Sequence, residues 1–543
     1  MSIKEVKKNP KSQTPGKSIK KNANSFVPLD NSKFAEKYFW IVIPVFTFIY
    51  YLSSKYSVGF YQDDEIGQYI NMINFWSDPF VILGNSPKPG YKLIMVIPSL
   101  FGYEAVLFVN ALIAAVTVYT TYLMLKCFNI GYASFGALLL ALQPLFFDLS
   151  FRSYAEIFTS LLILLVLIFY KKEKYILSAL ICGYIFTVRQ EIALLILIFA
   201  FIYFRKKNFI AIVCLALFPL LYNLLGFIKT GDILFVLTEM SSLSSYNYKT
   251  QGVSHYFLVY IFIIGPVSLL LFLLGYLGFL SDTKSLKEYL SKYDMFYIVF
   301  TSVFIVQLLT MFSDGPNPGN WRYLLHISPV AAAFATVGLN NLSRQEFRKT
   351  AYIISGILFF IALIFLSKKS DGFILLEVSE YSKLMIIGVC VLFVMLFKKE
   401  PVAEYLNKLS AVFLLMSVIY LYFNYTPKIL TPENLALKQV SEFLKSIDIS
   451  NKEIYYNHSF IPFYTDDVYR KNPGNYKRLI MENIKSAKPG SVFVWDTHYS
   501  YRPADMKNDV PLDALQDTSK YKLYTRINSP DGRFSAFIFE SKK

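Results

Sequence analysis

The feature that most constrains this chain is its segmentation: apolar blocks of about 16 to 25 residues, separated by short charged punctuation, recur over most of its 543 residues. Blocks of that length match the hydrocarbon thickness of a bilayer when wound as helices, so the sequence predicts a polytopic α-helical membrane protein. Composition agrees. Hydrophobic residues make up 55% and charged residues only 17%, well below the roughly 25% charge of soluble domains. The formal net charge of +16 does not point to nucleic acid, because the basic residues stand in small clusters between apolar blocks, as in loops that face the cytoplasm and anionic lipid. Cys127, Cys182, Cys214 and Cys390 lie in or at the ends of apolar blocks, without metal-like spacing, and read as small core residues.

Spans are expected near 38–54, 104–126, 131–149, 153–170, 175–188, 191–204, 209–228, 256–280, 295–312, 323–340, 351–367, 383–397 and 405–423, about thirteen helices. Residues 1–37 form a Lys-rich polar tail with almost no apolar face, expected to be disordered and cytoplasmic; the next span then acts as a signal anchor in the plasma (inner) membrane. Alternation from there puts Lys171–Lys172, Arg205–Lys207, Lys284/Lys287/Lys292, Arg344/Arg348/Lys349 and Lys398–Lys399 on the cytoplasmic side, each in agreement with the positive-inside rule. Residues 38–425 are the membrane domain. Residues 426–543 lie outside as a small α/β domain, with an amphipathic helix marked by Leu435, Val440, Phe443 and Leu444. Short β-rich runs follow at Glu453–Tyr456, Ser491–Trp495, Tyr521–Ile527 and Ser535–Glu540, with turns at Pro473–Gly474 and Pro489–Gly490.

The unusual charges collect on the extracytoplasmic face. The first outside loop reads Tyr61-Gln62-Asp63-Asp64-Glu65 and then places Ile66, Tyr69, Ile70 and Ile73 at helical spacing, with Trp76 as an interface anchor. Three carboxylates at a helix start are favoured electrostatically, which is one sufficient reason for them; the other is a carboxylate held at the membrane surface to take a proton from a hydroxyl or to hold a divalent ion. The loop closes on Pro87-Lys88-Pro89, which stiffens the backbone around Lys88, a residue that would otherwise read as snorkelling from the next helix. Further outside turns carry Asp148, Arg152 and Glu156, then Arg189 and Glu191, then Arg322 and Tyr323. Local ion pairs such as Arg189–Glu191 or Arg152–Asp148 would explain each turn alone. Together they make a pocket suited to a lipid-linked phosphate beside a nucleophile that needs deprotonating.

With those residues in view, the chain resembles the GT-C superfamily of membrane glycosyltransferases, and more narrowly the bacterial relatives of protein O-mannosyltransferases and of lipid A aminoarabinose transferases. The resemblance rests on Asp64-Glu65 after the first span, Pro87-Lys88-Pro89, Leu100-Phe101-Gly102-Tyr103-Glu104 leading into the next helix, Val188-Arg189-Gln190-Glu191 and Arg322-Tyr323-Leu324-Leu325 with Pro329. The fourth of these motifs departs from the superfamily's Arg-Pro-Glu, with Gln190 in place of proline. The resemblance covers about 38–425 and implies inverting transfer of a sugar from a polyprenyl-phosphate donor to a lipid, glycan or protein acceptor outside the cytoplasm. It implies Asp64 as general base, with Asp63 as the alternative register and Glu65 in support, and Lys88, Arg189, Arg322 and Arg152 at the donor phosphate, with Asp148, Glu156, Glu191 and Tyr323 supporting. No metal is required by it; a magnesium or manganese ion, if used, would take Asp63 and Asp64. The four histidines, three of them expected to be exposed or in the tail, build no clear site. The rival classes are a transporter or flippase of a lipid-linked or anionic substrate, and a non-catalytic relative whose tail aromatics bind a glycan.

Overall fold

The computed structural model describes residues 37–60, 62–83, 88–243, 248–281, 286–342, 349–363, 388, 402–447, 449, 451–465, 475–502 and 508–542. The Lys-rich tail before residue 37, the Asn85–Pro87 turn, Lys284, Arg344, Arg348, most of the span expected at 383–397, Lys398–Lys399 and the Pro473–Gly474 turn lie outside these residues.

Four described helices are long and apolar enough to cross a membrane: Tyr103–Cys127, Phe209–Thr230, Trp321–Asn341 and Leu406–Asn424. Two bent pairs, His255–Ile264 with Pro266–Leu280 and Leu286–Lys292 with Asp294–Leu309, raise that to six. This is a multi-pass membrane protein, but thirteen straight spans are not what the described helices establish. Several expected blocks are short or broken, and the breaks have local causes. The block at 131–149 divides into Ala133–Ala141 and Pro144–Leu149, because Pro144 supplies no N–H and drives Gln143 into an extended conformation. At Gly265, with φ +82 and Pro266 behind it, the chain turns by 115°.

Helices close on one another where side chains are smallest. A Cβ on Gly275 would stand 1.8 Å from the carbonyl oxygen of Phe334, and one on Gly338 would stand 2.0 Å from that of Leu271. This backbone-to-backbone crossing sets Pro266–Tyr276 against Ser328–Asn341 and so fixes the helix that begins just after Arg322. At Gly90 a Cβ would fall 2.2 Å from Thr187 Oγ1, and Tyr184 donates to the Gly90 carbonyl at 2.7 Å. That contact presses the start of helix Pro89–Ser99 against the turn carrying Arg189. The helix itself was not anticipated, although Pro89 at its first turn and the apolar run after it are fitting signals.

The C-terminal part carries a five-stranded sheet. Its strands are β1 (Ile454–Tyr456), β2 (Tyr476–Arg478), β3 (Val492–Asp496), β6 (Tyr521–Asn528) and β7 (Ser535–Ser541), ordered β2-β1-β3-β7-β6; β4 (Tyr501–Arg502) and β5 (Asn508–Asp509) pair separately. β1 runs parallel to β2 and β3, while β7 is antiparallel to β3 and β6. All four expected β runs are therefore strands. The expected amphipathic helix is Pro432–Ser446, with Thr431 capping it through Oγ1 to the Asn434 N–H at 3.1 Å. It buries Ala436, Leu437, Val440 and Leu444; Leu435, assigned to that face from sequence, is exposed. A short helix, Phe460–Tyr464, wedges Phe463 among Phe60, Tyr69 and Tyr103, seating the C-terminal part on the loop that follows the first apolar helix.

Candidate functional site

The acidic run of the first loop opens the helix Asp63–Asn74, and its three carboxylates have three different fates. Glu65 is the capping residue: it folds back to accept the Gln62 N–H at 3.2 Å, and its other oxygen accepts the Ser153 N–H at 3.2 Å. Fully buried, it pairs with Arg152 at 3.6 Å. Asp64 lies about one residue's rotation further round and meets Arg322, with Nη2 to Oδ2 at 2.5 Å. Asp63 turns to the C-terminal part, accepting the Tyr499 hydroxyl at 2.5 Å. Asp63 and Asp64 thus face different neighbours.

Around Arg322 the distant turns converge. Glu156, fully buried at the first turn of helix Ala155–Lys171, stands 3.1 Å from Arg189 Nη1 and 3.5 Å from Arg322 Nε. Arg189 also pairs with Glu191, the local pair foreseen from sequence, and Glu191 lies 3.5 Å from His326 Nε2. Aromatic faces support both guanidinium groups: Arg322 lies over Tyr154 with 4.4 Å to the ring centre, and Arg189 over Tyr323 with 4.9 Å. Lys88 is buried at the end of the first loop, and its electrostatic neighbours are Arg189, Glu156, Arg322 and Asp64. Burial alone would raise the Asp64 carboxyl, but Arg322, Lys88 and Arg189 outweigh it and hold the group below its ordinary value of 3.8.

Lys88, Arg189 and Arg322 face Asp64, Glu156 and Glu191, three cations against three carboxylates. Their donor capacity is not used up. Arg322 Nη1 and Arg189 Nε are buried without a hydrogen-bond partner among the described residues. Buried N–H groups of this kind are costly unless something else accepts from them. Arg152 differs. It is engaged by Glu65, Gly59 O and Ser57 Oγ, and its Asp148 neighbour is buried beside it.

Two groups near these residues were missed from sequence. Tyr154 and His326 each lie in a turn already singled out for its charge, and their spacing from Arg152 and Arg322 was the available signal. The reading of the histidines needs correction as well. His255 is buried, and His458 and His498 converge on Glu433, because the ends of β1 and β3, adjacent inner strands, meet the helix at Pro432.

This fold has solved counterparts. The chain is similar to the crystal structures of ArnT, an aminoarabinose transferase, from Cupriavidus metallidurans, in the apo state and bound to undecaprenyl phosphate. Each has a TM-score of 0.58 and 12% identity, over 93% of this chain and 98% of that one. No family model matches the sequence, and no curated protein matches it.

Proposed function

We propose that the protein is an integral membrane glycosyltransferase that moves a sugar from a polyprenyl-phosphate donor to a hydroxyl of a lipid, glycan or protein acceptor at the extracytoplasmic face. The observation that carries this reading is the Asp64–Arg322 pair at 2.5 Å with unpartnered N–H groups of Arg322 and Arg189 beside it. A base and a set of fixed cations within one cluster suit a displacement in which negative charge develops on a leaving phosphate. The likeness to ArnT, solved with undecaprenyl phosphate, supports a polyprenyl-phosphate ligand. The basic loop clusters support a cytoplasmic N-terminus, with 38–425 as the catalytic membrane domain and 426–543 outside.

In this mechanism the acceptor oxygen attacks the anomeric carbon from the face opposite the phosphate. The bond between that carbon and the phosphate oxygen breaks, polyprenyl phosphate departs with the electron pair, and Asp64 takes the hydroxyl proton. Configuration inverts. Arg322, Arg189 and Lys88 neutralise the departing phosphate, and Glu156 holds the two arginines at a fixed separation while keeping their summed charge from repelling. Glu191 and His326 orient Arg189, and Tyr323 backs its face. Glu65 and Arg152 hold the helix that presents Asp64.

Arg322→Ala is expected to weaken binding of undecaprenyl phosphate to the purified protein by about tenfold or more, from the loss of a charge-assisted contact. Unchanged affinity and turnover would remove Arg322 from the phosphate site. The depressed Asp64 carboxyl also fixes a pH dependence. A depressed carboxyl stays charged above its lowered value and loses its function only as pH falls through it, so transfer should hold level from neutral pH down to about 5. An acid limb near neutral pH would point to a different base.

A further inference from the structure

The C-terminal part holds a second cluster that the sugar-transfer reading does not use. Glu433 sits in the first turn of helix Pro432–Ser446, His458 follows β1, and His498 stands in the turn after β3. Glu433 Oε1 is 3.1 Å from His458 Nε2 and 2.6 Å from His498 Nδ1, and one ligand atom from each residue lies within 4.8 Å of the other two.

Each of the three is held from behind. Thr431 caps the helix that carries Glu433. Asp496 accepts the backbone N–H groups of His498 at 3.0 Å and Tyr499 at 2.6 Å, which fixes the turn carrying His498. His498 stacks on Tyr499 with ring centres 4.0 Å apart. The His458 ring is almost fully buried; its Nδ1 accepts the Phe460 N–H at 3.4 Å and lies 3.9 Å from the Asp63 carboxylate, leaving Nε2 to face the cluster.

Hydrogen bonds from two imidazoles to one carboxylate would hold these segments together without any ion. An ion fits once Glu433 and His498 part from 2.6 Å to the spacing of two ligands. Ligands about 2.0–2.1 Å from a tetrahedral metal are themselves a little over 3 Å apart, and two histidines with one glutamate leave the fourth corner open. A cavity of about 370 Å³, lined by Thr431, Glu433, Thr497, His498, Asp531 and Arg533, adjoins the cluster on the side of Glu433 and His498. His498 is partly exposed there, so an ion has a route in.

We propose that Glu433, His458 and His498 form a binding site for a zinc-like divalent transition metal, its open position turned to this cavity. The ion ties the helix, β1 and the turn after β3 into one unit. Through Tyr499 and His458 that unit meets Asp63, the residue next to the candidate base. The ion is thus placed to set the position of the acidic loop.

The test uses full-length protein without a histidine tag, stripped with chelator and titrated with Co²⁺. About one equivalent should bind with the visible absorption of a four-coordinate ion, and Zn²⁺ should displace it. His498→Ala and Glu433→Gln should lose that band while eluting as folded protein; His498 is exposed enough for its truncation to leave packing intact. Wild-type protein that binds no Co²⁺ and retains no Zn²⁺ would overturn the proposal and leave a hydrogen-bonded cluster only. A band that survives in both variants would put the ion elsewhere and overturn it equally. Because the readout is metal binding, its failure is separate from any failure of the transferase reading.

Discussion

Asp64→Asn is expected to lower sugar transfer by about 10²–10⁴-fold while leaving the protein folded and able to bind polyprenyl phosphate. The substitution keeps the shape of the side chain and removes its basicity. Asp64 is half-exposed at the first turn of its helix, so the packing beneath it is untouched. Rates are to be compared with donor saturating, and thermal unfolding monitored on the same preparations. Removing the partner charge also frees Arg322 Nη2, so donor binding should hold or tighten as kcat falls. Full activity in Asp64→Asn, with loss in Asp63→Asn, would move the base one residue back and would make Tyr499 its hydrogen-bond donor.

The adjacent carboxylate should behave in the opposite way. Glu65 is fully buried, closes the capping box of its own helix and pairs with Arg152, itself buried. Glu65→Gln leaves the Arg152 charge with only Asp148 beside it, and Arg152→Ala strands the Glu65 charge. Each is expected to cost about 3–5 kcal/mol of stability, as removal of one member of a buried pair does. The measurement is thermal unfolding of detergent-solubilised protein with yield of monodisperse material. Near-wild-type stability in both single variants would show that the pair does not hold the loop. The double variant Glu65→Gln/Arg152→Met should recover part of the loss, because both charges of the pair are then gone.

These two expectations separate residues that the sequence leaves side by side. The acidic run announced a helix start, and the helix is there, but nothing in Asp63-Asp64-Glu65 says which carboxylate turns inward. Successive helical residues point about 100° apart, so burial of Ile66, Tyr69 and Met72 against the core decides that Glu65 goes in and Asp64 stays at the rim. The charge pattern of the loops grouped Lys88, Arg189 and Arg322 before any geometry was known, and the structure brings them together around Glu156. The bridging role of Glu156 was not legible. It depends on a turn at residue 189 and another at residue 322 arriving at the same buried oxygen, which no local pattern records.

Breaks within apolar runs were not legible for a related reason. Hydropathy sees the apolar run at 256–280 as continuous, while Gly265-Pro266 bends it by 115°. In the C-terminal part the strands were readable from alternation and turns. The meeting of Glu433, His458 and His498 was not, because it follows from strand order, with β1 and β3 adjacent and the helix capping their ends.

The most direct test of the central claim is release of polyprenyl phosphate by purified wild-type protein given a panel of polyprenyl-phosphate sugars and candidate acceptors. Release should equal the sugar transferred, with the new linkage inverted relative to the donor. A chain that binds these donors but releases no polyprenyl phosphate from any of them, and instead carries them across a vesicle bilayer, would contradict the account.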